Sequence, residues 1–121
     1  MIARLGLLLL ASCVAAMCSQ QPSKTKEAID RVRSEISIGM SRAEVEQRLR
    51  AMAVTYVYVP RHDLEVTRET MFEGTPLSGR FDVVTPMEPH SFYMEEAAIH
   101  IELNDREEVV NVRIEHIGGT E

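Results

Sequence analysis

The chain has 121 residues, with 13 Lys plus Arg against 19 Asp plus Glu and a net charge of −6. Setting aside an N-terminal signal leaves one domain's worth of sequence, enough for one modest hydrophobic core. The acidic balance argues against nucleic acid as a partner, because phosphate contacts need clustered Lys and Arg, and anionic lipid head groups offer no electrostatic anchor.

Residues 1–18 read as a signal peptide. Arg4 precedes an apolar run from Leu5 to Ala11, and small residues follow. A bilayer span needs about 20 apolar residues, more than this run supplies. Leu10-Ala11-Ser12-Cys13 has the order of a bacterial lipidation site, a Leu and two small residues before a Cys. Cys18 follows Ala15-Ala16-Met17 and stands at the more usual distance from the start, just before a polar stretch. Motif favours Cys13 and position favours Cys18; plain cleavage after Ala16 is a third route. A metal site needs more ligands than these two thiols, and a Cys13–Cys18 disulfide would staple nothing but the signal. No Cys follows residue 18, so the mature domain folds without an internal disulfide. The expected location is periplasmic, with the protein held by lipid to a membrane, the outer one for preference.

Residues 19–26, SQQPSKTK, read as a flexible tether, and 27–117 as an α+β binding domain. Ala28, Val32 and Ile36 predict a first helix over 27–36. Gly39 breaks the chain. Ser41 and Glu44 then make an S-x-x-E capping box, opening a second helix with Ala43 or Val45, Leu49 and Met52 inward. VTYVYV at 54–59, LEVTRETMF at 64–72 and RFDVV at 80–84 read as strands; 73–79 and 85–90 read as turn and loop. Strands at 97–103 and 109–116 form a closing hairpin around NDREE. Ala97, Ile99, Ile101 and Leu103 pair with Val110, Val112 and Ile114 inside; His100, Glu102, Asn111, Arg113 and Glu115 point out. The order predicts an α+β fold, with two N-terminal helices packed on one face of a small antiparallel sheet.

Chemistry is sparse in this pattern. The histidines, His62, His90, His100 and His116, have no metal-ligand spacing, although His100 and His116 have the positions to face one another across the hairpin. No G-x-S-x-G motif and no Gly-rich phosphate loop is present. The residues therefore point to a non-enzymatic protein with no catalytic residues, no metal and no cofactor. Tyr56 and Tyr58 share one strand face and Val57 and Val59 the other. Either the tyrosines face outward as a protein-binding surface together with Arg113, or they cap the edge of the core.

The segment IGMSRAEVEQRL at 38–49, with the closing IHIELNDREEVVNVRI at 99–114, resembles the SmpA/OmlA family of small outer-membrane lipoproteins. The carriers are Gly39-Met40-Ser41, Val45, Leu49 and the terminal strand pair. The resemblance implies a two-helix, antiparallel-sheet module and an accessory role in β-barrel assembly. The same module occurs in β-lactamase inhibitor proteins, which implies binding and blocking of a protein. This chain has RAMAVTYVYV where the family has Gly-x-Pro after the second helix, and NDREE where its final turn carries Gly. Residues of the family that touch the assembly machine are not carried over. Two functions are expected: an inhibitor or immunity-like lipoprotein acting on a secreted enzyme or toxin, or an accessory subunit of an envelope assembly complex.

Overall fold

The computed structural model describes residues 24–86, 88–89 and 94–117, with side chains described for 24–86 and 96–117. Cys13, Cys18, His90, Phe92 and Tyr93 lie outside the described residues. The first helix, α1 (Lys24–Glu35), starts within the expected tether, so residues 24–26 are helical. Its buried stripe of Thr25, Ile29 and Val32, continued by Ile36, lies against the sheet. Gly39, at φ 91, makes the turn that a side chain would strain.

The capping box forms as the sequence predicts. Glu44 N donates to Ser41 Oγ at 3.2 Å and Ser41 N donates to the Glu44 carboxylate at 3.4 Å. Helix α2 (Arg42–Ala51) buries Val45 and Leu49 completely and leaves Ala43 exposed. Met52 ends it, and Ala53 takes φ 55 before strand β1 (Thr55–Pro60).

Beyond Pro60 the structure differs from the expected strand at 64–72. Residues Arg61–Thr67 form helix α3, closed by Arg68 at φ 65. The Leu64/Val66 alternation that suggested a strand has no burial behind it, since Leu64 is fully buried and Val66 is 81% exposed. An Arg61–Glu65 pair at 3.7 Å, one helical turn apart, favours the helix instead. A miniature hairpin follows, β2 (Met71–Phe72) against β3 (Thr75–Pro76). Glu73 and Gly74, at φ 48 and 80, supply the two positive φ angles that suit a tight hairpin turn.

The main sheet is antiparallel throughout, in the order β1, β4 (Gly79–Val84), β6 (Met94–Leu103), β7 (Val109–Ile117). A short β5 (Glu88–Pro89) pairs with the start of β6. Helices α1 and α2 cover one face, as expected for an α+β fold. There Ile29, Val32, Ile36, Val45, Leu49 and Met52 meet Phe81, Val83, Ala97, Ile99, Ile101 and Leu103 in one core.

The hairpin register contains an irregularity at Glu102/Leu103, where Leu103 pairs with Val109 and Glu102 with Asn111. Val109 is therefore the fully buried residue at this end, and Val110, expected inside, is half-buried in the bulge. The NDREE turn closes without Gly. Glu107 adopts φ 58, and Asn104 Oδ1 accepts from the backbone N–H groups of Arg106 and Glu108 at 2.9 and 3.0 Å.

Candidate binding face of the sheet

Strand alternation sorts the sheet into an inner and an outer face. Phe81 and Val83 point inward, so Arg80, Asp82 and Val84 point outward. The ladders align the outer residues in rows: Val57–Asp82–His100–Arg113 is one, and Val59–Arg80–Glu102–Asn111 the next. The rows set Asp82 beside His100 and Arg80 beside Glu102, opposite charges in each case, while Arg113 faces His100 as a like charge that works against the imidazolium.

His100 is the centre of this network. Its Nδ1 lies 2.6 Å from Asp82 Oδ1 and its Nε2 lies 2.8 Å from Glu115 Oε1. A carboxylate oxygen at each nitrogen calls for an N–H on each, and imidazolium alone has both. The hydrogen bond to Asp82 is the main force raising the His100 pKa; burial opposes it, and the bond to Glu115 adds to it. Burial alone would push the Asp82 carboxyl up, but hydrogen bonds from His100 and Arg80 outweigh it and hold Asp82 below the usual carboxylate range.

The network continues on both sides. Arg80 Nε donates to Asp82 at 2.8 Å, and Arg80 Nη1 donates to Glu69, which reaches over the outer face from the segment after α3. The bond from Arg80 lowers the Glu69 pKa against a smaller opposing effect of burial. Arg113 Nη2 stands 3.7 Å from Glu102 and 4.0 Å from Glu69, and Asn111 Nδ2 donates to Glu102 at 2.8 Å. Arg80, His100 and Glu102 are buried, at 9%, 6% and 5% exposure. The hairpin's polar side does point away from the helices, as expected, but His100 and Glu102 on it are buried: the pairs satisfy one another, and Glu69 reaches across Arg80 and Arg113.

With both nitrogens donating to carboxylates, His100 has no lone pair for general-base work or metal ligation. The expected His100–His116 juxtaposition does not occur. His100 opposes Arg113, whereas His116 opposes Ala97 on the other side of the sheet. No cluster of three or more His, Cys, Asp or Glu with metal-binding geometry is found among the described residues.

Tyr56 and Tyr58 take the inner face, partly buried against the core, and Val57 is 56% exposed, so of the two arrangements the sequence left open the tyrosines adopt the one at the edge of the core, not the outward binding surface. Phe81 decides this. Its buried ring meets Tyr58 edge-on at 5.2 Å and Tyr56 at 5.9 Å, an arrangement the valines cannot offer. The phenol ends stay at the rim. Arg50 Nε donates to Tyr56 Oη at 3.2 Å, and the Arg42 guanidinium sits 3.7 Å over the Tyr58 ring. The surface left for a partner is Val57, Val84, Glu69, Arg113 and Glu115, of which Arg113 is the one expected contact on the outer face. A mostly apolar cavity of about 460 Å³, lined by Lys24, Arg31, Val54, Val83 and Val84 among others, lies where α1 begins; it shares Val84 with that surface and none of the charged side chains of the network.

Alternation in the hairpin already puts His100, Glu102, Asn111, Arg113 and Glu115 on one face; their meeting with Arg80 and Asp82 of β4 was not legible because it depends on register. The available signal was alternation in RFDVV, which sends Arg80 and Asp82 to the side opposite Phe81.

No family model, curated protein or solved structure matches the chain. Among the described residues no helix is long and apolar enough to cross a membrane.

Proposed function

We propose that this chain is a non-enzymatic bacterial envelope lipoprotein, held to a membrane through Cys13 or Cys18, that binds and blocks a partner protein with the outer face of its sheet. The supporting observation is the preorganised state of that face. Arg80, Asp82, His100 and Glu102 are locked by mutual hydrogen bonds, so Arg113, Glu115 and Glu69 are presented with little rotamer freedom left to lose on binding. Beside them Val57 and Val84 stand 56% and 39% exposed and give an apolar margin. An acidic domain of this kind suits a basic or cleft-bearing enzyme, since complementary charge speeds encounter.

A second reading is an accessory subunit of an outer-membrane assembly complex. One observation favours it: the two segments that resemble the SmpA/OmlA family pack on one another. Gly39 N donates to Val109 O at 2.8 Å, Ser41 bridges Glu108, and Arg42 pairs with Glu107 at 2.8 Å.

Affinity capture of the tagged full chain from envelope extract, with Arg113→Glu as the paired control, tests both. Capture of one secreted hydrolase or toxin, lost with Arg113→Glu, supports the blocking role. Capture of barrel-assembly subunits supports the second. A capture profile identical for wild type and Arg113→Glu counts against the outer face as the binding surface. Retention of Cys13→Ser, Cys18→Ser and the double variant in the membrane fraction would remove the lipid anchor.

A further inference from the structure

β7 is the outer strand on its side of the sheet. One flank pairs with β6 along the strand. On the other flank, among the described residues, Ser41 bridges Glu108, and Val109 shares backbone hydrogen bonds with Gly39 and Met40. That segment leaves the strand at Gly39, where φ is 91, so the edge from Asn111 to Ile117 has no backbone partner among the described residues. The edge contains no Pro. Natural sheets blunt such an edge with Pro, charged side chains, a β-bulge or a covering element, because it is a template for a further strand; here the bulge at Val110 precedes the open stretch, and the charges on it are Arg113 and Glu115.

The side chains along this edge are complementary to themselves. Run antiparallel to a second copy, with a two-fold axis through Ile114 normal to the sheet, the strand sets Ile114 against Ile114 of that copy. Arg113 then opposes Glu115 of the second copy on the outer face, and the symmetry repeats the pair. Shifting the axis to Arg113 opposes two guanidiniums, and shifting it to Glu115 opposes two carboxylates. Directly opposed like charges destabilise a strand pair and opposite charges support it. The alternation Arg-Ile-Glu thus selects one register.

Both charged residues keep surface for the contact. The Arg113 side chain is 39% exposed and that of Glu115 is 56% exposed, and Glu115 engages His100 through one of its two oxygens. Val112 and Ile114 pack on the core yet stay half-exposed, as strand residues do when the next strand is missing. In a chain of net charge −6, general repulsion opposes self-association, which makes the local Arg–Glu match the deciding term.

We propose that the protein forms a two-fold dimer in which β7 pairs with β7 of a second copy, centred on Ile114, joining the two main sheets into one. The occupant of this edge is a second copy of the chain because its charges match this edge in one register.

Single cysteines in the full chain, with Cys13→Ser and Cys18→Ser removing the native thiols, read the register. Opposed residues of antiparallel strands have Cα atoms about 4.5–5.5 Å apart, within the span of a disulfide. Under mild oxidation Ile114→Cys should cross-link to itself. Arg113→Cys and Glu115→Cys should each do so weakly alone and strongly when the two variants are mixed. Self-linkage at 113 or 115 matching that at 114, or no linkage at any of the three, overturns the proposal. Sedimentation of the chain with Ile114 intact gives an independent check. Arg113→Glu should weaken dimerisation at least about tenfold while circular dichroism stays unchanged. A wild-type chain that remains monomeric throughout a concentration series overturns it as well.

Discussion

His100 and Asp82 are directly opposed on neighbouring strands, β6 and β4, with Nδ1 and Oδ1 2.6 Å apart. The pair turns a strand register into an electrostatic one, because a slip by a single residue would place each group among the apolar side chains of the core. It also links stability to pH. The His100 pKa is raised in the folded chain, so its stabilisation is complete below the ordinary imidazole value and disappears as pH rises through the raised one. Asp82 and Glu69 are lowered, so their stabilisation is present above the ordinary carboxylate values and disappears as pH falls through the lowered ones. Melting temperature against pH should fall on both sides. His100→Gln should flatten the alkaline limb and destabilise by about 1–3 kcal/mol at neutral pH. An unchanged alkaline limb would mean that His100 is not the charged centre of the network.

Phe81 carries the aromatic core and holds both tyrosines inward. Phe81→Ala should cost about 3–5 kcal/mol in denaturant unfolding, the range for a buried aromatic. A cost below 1 kcal/mol would place the ring at the periphery.

Gly79 opens β4 beside Tyr58. A Cβ there would meet Tyr58 Cζ at 2.6 Å and the Val59 carbonyl oxygen at 2.9 Å. Gly79→Ala should destabilise by about 1–3 kcal/mol, as overpacking does. Adding it to Tyr58→Ala should cost less than adding it to the wild type, because the two residues share one space. Additive losses would move the conflict away from the ring.

Ser41→Ala removes the side chain that caps α2 and should cost about 1 kcal/mol. Ser41→Asp, which keeps an acceptor at the same place, should recover most of that loss. Equal melting of all three chains would make the cap irrelevant.

The elements legible in the sequence are those whose information is local. The capping box at Ser41 and Glu44, the α2 stripe of Val45 and Leu49, and the alternation of β6 each need only a few neighbouring residues. The failures share a cause as well. In 61–67 a short apolar alternation has the same appearance in a helix and a strand, and burial of Leu64 beside an exposed Val66 decided between them. At Tyr56 and Tyr58, period 2 gave two faces without saying which was inner.

By itself, the sequence determined the class of fold, because periodicity, capping and turn chemistry act over a few residues. It also carried the signal-like start with Cys13 and Cys18 and the acidic balance. Only the tertiary structure decided the face of the tyrosines, the bulge that buries Val109, and the meeting of Asp82, His100 and Glu115. These residues are brought together by strand register, and register is fixed by what Phe81 and the helices exclude from water, a property of the whole assembly.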